Sequence, residues 1–273
     1  MNFCIKFVKI LDSTMEQPTL YGWFHLMWLG IVIGSSVLLC YLYKKGIIKN
    51  VRAVLLTVSI TVMVLELYKI FISGVRYDNG IIEYKFLWHT FPWQFCSTPM
   101  YMGLIAGLTK GKVHDFCCSF LATFAVFAGV AIMVYPDAVF ISTIGVNIQT
   151  MICHGSMIVV GVFLYYTNTA KTKFTTLFKG AAVFSICVTI AMIINEIGHA
   201  TGISDREYLN MFYISRYEEP HLPVYSIIQE NVSFYPLCLA IYIIGFTVAA
   251  CLMLLAAMGI KKLGAKFNKK KEN

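Results

Sequence analysis

Charge is scarce in this 273-residue chain: only 13% of its residues are Asp, Glu, Lys or Arg, whereas 58% are hydrophobic. Soluble domains carry about 25% charged and about 45–50% apolar residues, so a water-facing globule is excluded. No glycine-rich phosphate loop, zinc-type cysteine pairing or extended basic surface occurs. Their absence argues against nucleotide, zinc and nucleic-acid functions, and no metal or cofactor is expected. The nine cysteines lie mostly inside apolar blocks, with Cys117 and Cys118 adjacent, and form no framework of spaced pairs in loops. They read as small buried hydrophobes rather than a disulfide scaffold. Residues 1–19 lack the long apolar core and small-residue cleavage site of a signal peptide. With Lys6, Lys9, Asp12 and Glu16 among apolar residues, they read as an amphipathic lead on the membrane surface.

What the chain does hold is apolar blocks of about twenty residues, the length that crosses hydrocarbon at 1.5 Å per residue. The pattern predicts a single all-α, polytopic membrane bundle over residues 1–273. Seven spans are placed near 20–43, 51–73, 93–109, 115–134, 146–167, 174–198 and 234–260. The third is the shortest and most polar, and Pro99 is expected to bend it. Lys44, Lys45, Lys49, Arg52, Lys110, Lys112, Lys171, Lys173, Lys179 and the tail lysines 261, 262, 266, 269, 270 and 271 put fifteen cations on one side. Lys6, Lys9, Arg76, Lys85, Arg206 and Arg216 put six on the other. The positive-inside rule then makes the N-terminus external and the basic 261–273 tail cytoplasmic, where it can contact anionic lipid. The long 199–233 segment becomes an outer loop, with Asp205, Glu207, Glu218, Glu219 and Glu230 beside Tyr217, Pro220, Pro223 and Tyr225. A loop of that length often acts as a lid or binding element.

The most unusual stretch is Trp88–Met100, which packs His89, Gln94, Cys96 and several hydroxyl or indole donors between apolar blocks. Pro92 suits the first position of a helix, which would set Gln94 and Cys96 in its partly positive first turns. A cysteine there has a reason to ionise. On the predicted orientation, His25, Glu66, Gln94, Cys96, Asn147, Gln149, His154, Asn195, Glu196 and His199 all fall in the outer half of the bilayer. Polar groups at membrane depth are costly, so their convergence predicts a polar cavity open to the outer leaflet or exterior. Structural alternatives stand beside this. Cys96 can be a packed thiol and His154 a helix-packing residue. Glu66 can pair with Lys69 at i+3. Asn195 and Glu196 can bond backbone between helices, and Trp88 and Trp93 can be interfacial anchors.

If Cys96 and His154 meet, a thiolate nucleophile and an imidazole that holds and returns its proton suit acyl transfer through a thioester. Gln149, Asn195 or Glu196 could orient the ring, and Gln94 or backbone N–H groups could hold an oxyanion.

Three stretches resemble the YwaF-type integral membrane proteins of bacteria and the related transmembrane protein 164. They are Pro92-Trp93-Gln94-Phe95-Cys96-Ser97, His154-Gly155, and Asn210-Met211-Phe212-Tyr213. The resemblance implies a cysteine-dependent phospholipid acyltransferase, with Cys96 as the acyl-accepting residue and His154 as its partner. Gln94 stands where bacterial relatives often carry histidine, so a base would have to come from His154 or elsewhere. The expected function is a membrane acyltransferase or lipid acyl hydrolase in a bacterial cytoplasmic membrane. Its catalytic residues would be Cys96 and His154, and Gln94, Glu66, Asn147, Gln149, Asn195, Glu196 and Asn210 would form a supporting polar cavity. A small-solute transporter or receptor-like binding protein, or a scaffold whose polar residues only join helices, are the alternatives.

Overall fold

The computed structural model describes residues 3–78, 81–219 and 223–272. Its helices are α1 (Phe3–Leu11), α2 (Trp23–Lys44), α3 (Val51–Gly74), α4 (Thr98–Leu108), α5 (Gly111–Val134), α6 (Ile144–Tyr166), α7 (Phe174–Ala200), α8 (Pro223–Asn231) and α9 (Tyr235–Glu272). Among the described residues, α2, α3, α5, α6, α7 and α9 are long and apolar enough to cross a membrane. A short hairpin, β1 (Val75–Asp78) paired antiparallel with β2 (Ile81–Tyr84), follows α3.

The expected third span is where the chain departs from a plain helix. Residues 91–97 form irregular turns, and α4 has only 11 residues. At 1.5 Å per residue it is about 16 Å long, roughly half of a hydrocarbon core. Two prolines explain this. Phe91, before Pro92, is held extended at φ −53°, ψ 128°. Pro99 sits in the first turn of α4, so it opens the helix that it was expected to bend. Cys96 therefore precedes the helix. The short helix still ends beside the start of α3, where Arg52 donates to the carbonyls of Gly107 (2.9 Å) and Leu108 (3.2 Å). A cation on these last carbonyls also suits the helix dipole.

Helix α3 packs along α4, α5 along α7, and α2 along α6, which also carries the second half of α5. Within α5 a π-helical turn, Leu121–Ala125, touches α6, α7 and α9. Phe120, Phe124 and Phe184 are fully buried there, and Phe95 brings the irregular turn into the same aromatic core. Trp93 is drawn inward as well: its indole N–H donates to the Cys187 carbonyl (3.2 Å), near the middle of α7. It is thus a bundle residue and not the interfacial anchor that its position suggested. The basic 261–273 segment extends α9 through Glu272, and Pro220 of the long loop lies outside the described residues.

Candidate functional site

Irregular backbone is tolerated at membrane depth only where protein surrounds it. The turn at 93–97 meets that condition, and its contacts define the site. The Cys153 thiol donates to the Cys96 carbonyl (3.6 Å). Cys153 lies near the middle of the 23-residue α6, so Cys96 sits close to mid-bundle. Ser97, the residue at the N-cap of α4, makes no capping bond; its hydroxyl donates to Glu66 Oε1 (3.1 Å).

Glu66 is the hub of this region. Its carboxylate is buried, pairs with Lys69 Nζ at 2.6 Å, and accepts from Gln149 Nε2 at 2.9 Å. The Thr150 hydroxyl donates to Gln149 Oε1 (3.4 Å) and extends the chain of bonds. Three donors from α3, α6 and the Cys96 turn thus converge on one carboxylate, which a buried charge requires. The i, i+3 pair expected with Lys69 forms, and Lys69 also lies within electrostatic reach of Cys96, Cys153 and His154.

His154 is buried one residue beyond Cys153. Its Nδ1 donates to the Thr150 carbonyl (2.8 Å), which leaves Nε2 as the lone-pair nitrogen of the neutral ring. No hydrogen bond joins His154 to Cys96. A direct thiol–imidazole contact forms instead between Cys118 and His114, with Sγ to Nε2 at 3.5 Å on α5. The i, i+4 spacing of that pair is legible in the sequence, but the pair is not among the expected site residues; Cys118 is fully buried and lines none of the cavities described below.

The other polar residues divide by helix face. Gln94 Nε2 donates to the Asn210 carbonyl (2.8 Å), and its Oε1 accepts from the Phe212 N–H (2.8 Å). Asn195 does the same to Met211, accepting from its N–H (2.7 Å) and donating to its carbonyl (3.1 Å). Asn210 accepts from the Ser215 N–H (2.9 Å). Together they seat a buried plug, residues 209–212, whose last residue, Phe212, adopts a left-handed φ of 57°, as does the exposed Tyr213 that follows it (56°). Tyr242 and Tyr235 add hydroxyl bonds to the carbonyls of Phe212 and Ile214, both 2.9 Å. Glu196, one residue and about 100° from Asn195, faces outward to Arg216 (2.9 Å) and Tyr217 (2.8 Å). Asn147, about 200° around α6 from Gln149, clamps both backbone groups of Ile141 (3.0 and 2.7 Å). His25 bridges the Tyr21 N–H and the Met133 carbonyl, and His199 stacks on Tyr217. The expected single polar cavity is therefore several clusters, of which Cys96, Glu66 and Gln149 form the one around the cysteine.

That cluster borders a cavity of about 20 Å³, lined by Cys96, Cys153, Ser156, Val58, Ser59 and Pro99 among others. The space suffices for roughly one water. A larger apolar groove of about 230 Å³ lies between α2 and α6, and Val58 and Ser156 line both spaces. No three His, Cys, Asp or Glu side chains gather as metal ligands among the described residues.

No curated protein and no solved structure matches the chain. A model of the TMEM164 family matches residues 20–258, which takes in every residue of the cysteine cluster and of the plug. The six long apolar helices agree with that match, and the chain is an integral membrane protein belonging to the TMEM164 family.

Proposed function

We propose that the protein is a membrane acyltransferase or lipid acyl hydrolase in which Cys96 accepts a phospholipid acyl chain as a thioester. One observation carries the reading: Cys96 borders a small mid-bundle cavity, its neighbour Ser97 bonds the Glu66–Lys69 pair, and an apolar groove lies behind the cavity wall. A reactive cysteine needs charged neighbours and access, and buried structural thiols have neither.

In the proposed reaction the Cys96 sulfur adds to the ester carbonyl, and the carbon–oxygen bond to the glycerol backbone breaks. The thiol proton passes through His154 Nε2 to the departing oxygen, which leaves as a lysophospholipid alcohol. An acceptor hydroxyl or water then attacks the thioester and gives its proton to His154 Nε2, the carbon–sulfur bond breaks, and that proton passes on to sulfur. Because both ends of the Gln94 amide already hold the plug, Lys69 is the group assigned to the developing oxyanion. Glu66 and Gln149 position Lys69 and the Cys96 turn. Gln94, Asn195 and Asn210 close the outer side, and Asn147 and Glu196 act only through the scaffold.

The lipid enters sideways from the membrane. In this proposal the plug faces the exterior, and the basic end of α9 meets anionic lipid at the cytoplasmic face of a bacterial membrane. Purified protein in phospholipid vesicles should acquire a hydroxylamine-labile acyl adduct that Cys96→Ala abolishes and His154→Ala slows. Full activity in both variants would refute the assignment.

A further inference from the structure

The cavity at Cys96 admits about one water, so an acyl chain cannot lie in it. The chain must rest elsewhere while its carbonyl reaches the sulfur. The groove on the other side of Val58 and Ser156 has the required chemistry. Trp28, Ile31 and Val32 of α2 and Met151, Ile152 and Val159 of α6 line it. The two serines on its wall are Ser35 and Ser156, and the Ser156 hydroxyl is turned back to the Cys153 carbonyl (2.8 Å). That bond leaves little polarity facing the groove.

The packing keeps this space open on one side. Helix α2 rests on α6, and a Cβ on Gly155 would come within 2.5 Å of Val32 Cγ2, so the two helices approach closely there. α2 and α3 make no comparable contact, which leaves a lateral gap over α6. Ile31 at its rim is 42% exposed, as a residue facing hydrocarbon would be.

We infer that this groove is the acyl-chain site of the protein: it holds one fatty acyl chain of a membrane phospholipid, with Val58 and Ser156 as the partition that rotates to admit the ester carbonyl to Cys96. The inference rests on the thioester reading for its purpose, but occupancy can be measured without catalysis.

The experiment uses the full chain in phosphatidylcholine vesicles containing phosphatidylcholine with a photoactivatable diazirine on one acyl chain. Crosslinks should concentrate on the groove faces of α2 and α6. Val159→Trp fills the groove without touching the Cys96 cavity, and should cut those crosslinks about tenfold, as overfilling an apolar site does. Ile33→Trp, on the exposed outer side of α2, should leave them unchanged. Crosslinks spread evenly over every lipid-facing helix, or insensitive to Val159→Trp, would mean annular lipid and overturn the site. So would a pattern obtained with a free fatty acid analogue alone. A parallel arm separates the two claims. Val159→Trp should block the Cys96 adduct from a palmitoyl donor and spare that from a butanoyl donor. Groove-specific crosslinks without any Cys96 adduct would refute the thioester and keep the site.

Discussion

Gln94 and Asn195 are amides doing backbone work. Each supplies one donor and one acceptor to residues 210–212 of the buried plug, at four distances between 2.7 and 3.1 Å. Gln94→Ala strands a buried carbonyl and a buried N–H, which costs about 2–4 kcal/mol. The midpoint of denaturation in mixed micelles should fall accordingly. The Asn195→Ala loss should be similar, and the double variant should lose less than the sum because both clamps hold one segment. The Glu66–Lys69 pair obeys a different rule. Lys69 is 24% exposed and Glu66 3%, so the ammonium is partly screened and the carboxylate is not. Removing the carboxylate with Glu66→Gln should destabilise by about 1–3 kcal/mol, and adding Lys69→Met should restore part of the loss. A double-mutant cycle on unfolding measures it. The sequence alone was informative about which residues these are, since polar groups in apolar blocks stand out. It was silent on which bond to which: Asn195 and Glu196 are neighbours in the chain, and helical rotation sends one to the plug and the other to Arg216.

At the scale of elements, the irregular turn and α4 together do what a full helix does elsewhere. Pro92 and Pro99 divide the segment, and the freed backbone is absorbed by the bundle. The segment just after the hairpin β1–β2 is tied to the long loop by the Lys85–Glu207 ion pair at 2.6 Å, with the Trp88 N–H also donating to Glu207. The Lys85 hydrogen bond, helped by the Trp88 N–H and the Lys85 charge, holds the Glu207 carboxyl below its ordinary range. A depressed carboxylate stabilises the folded form above its unfolded pKa, about 4.3, and that stabilisation is lost as pH falls through the lower folded value. Pepsin cleavage around residues 85–90 should therefore rise as the pH is taken from about 5 to about 3. Glu207→Gln should be cleaved at all these pH values, and a wild type cut equally throughout would refute the linkage.

For the whole molecule, the six long helices among the described residues and the short α4 give a bundle whose interior is aromatic around Phe95, Phe184, Phe212 and Phe246, and polar around Glu66. The loop cations set an expected sidedness. A fluorescent-protein fusion after residue 273 should fold and fluoresce in bacterial cells, whereas an alkaline phosphatase fusion there should be inactive. The reverse result would invert the assigned orientation and put the plug in the cytoplasm. Composition and the length of the apolar blocks determined the membrane class, the helical architecture and most helix positions, because hydrocarbon thickness and backbone hydrogen bonding leave few other solutions. Sequence also singled out Trp88–Met100 as unlike the rest. Only the tertiary structure decided that Cys96 precedes its helix and that Glu66 gathers Ser97, Lys69 and Gln149. It alone decided that Gln94 serves the plug and that a groove lies behind Val58 and Ser156. The physical reason is the same for each: these arrangements depend on which faces of separate helices meet, and contacts between distant segments leave no mark in local periodicity.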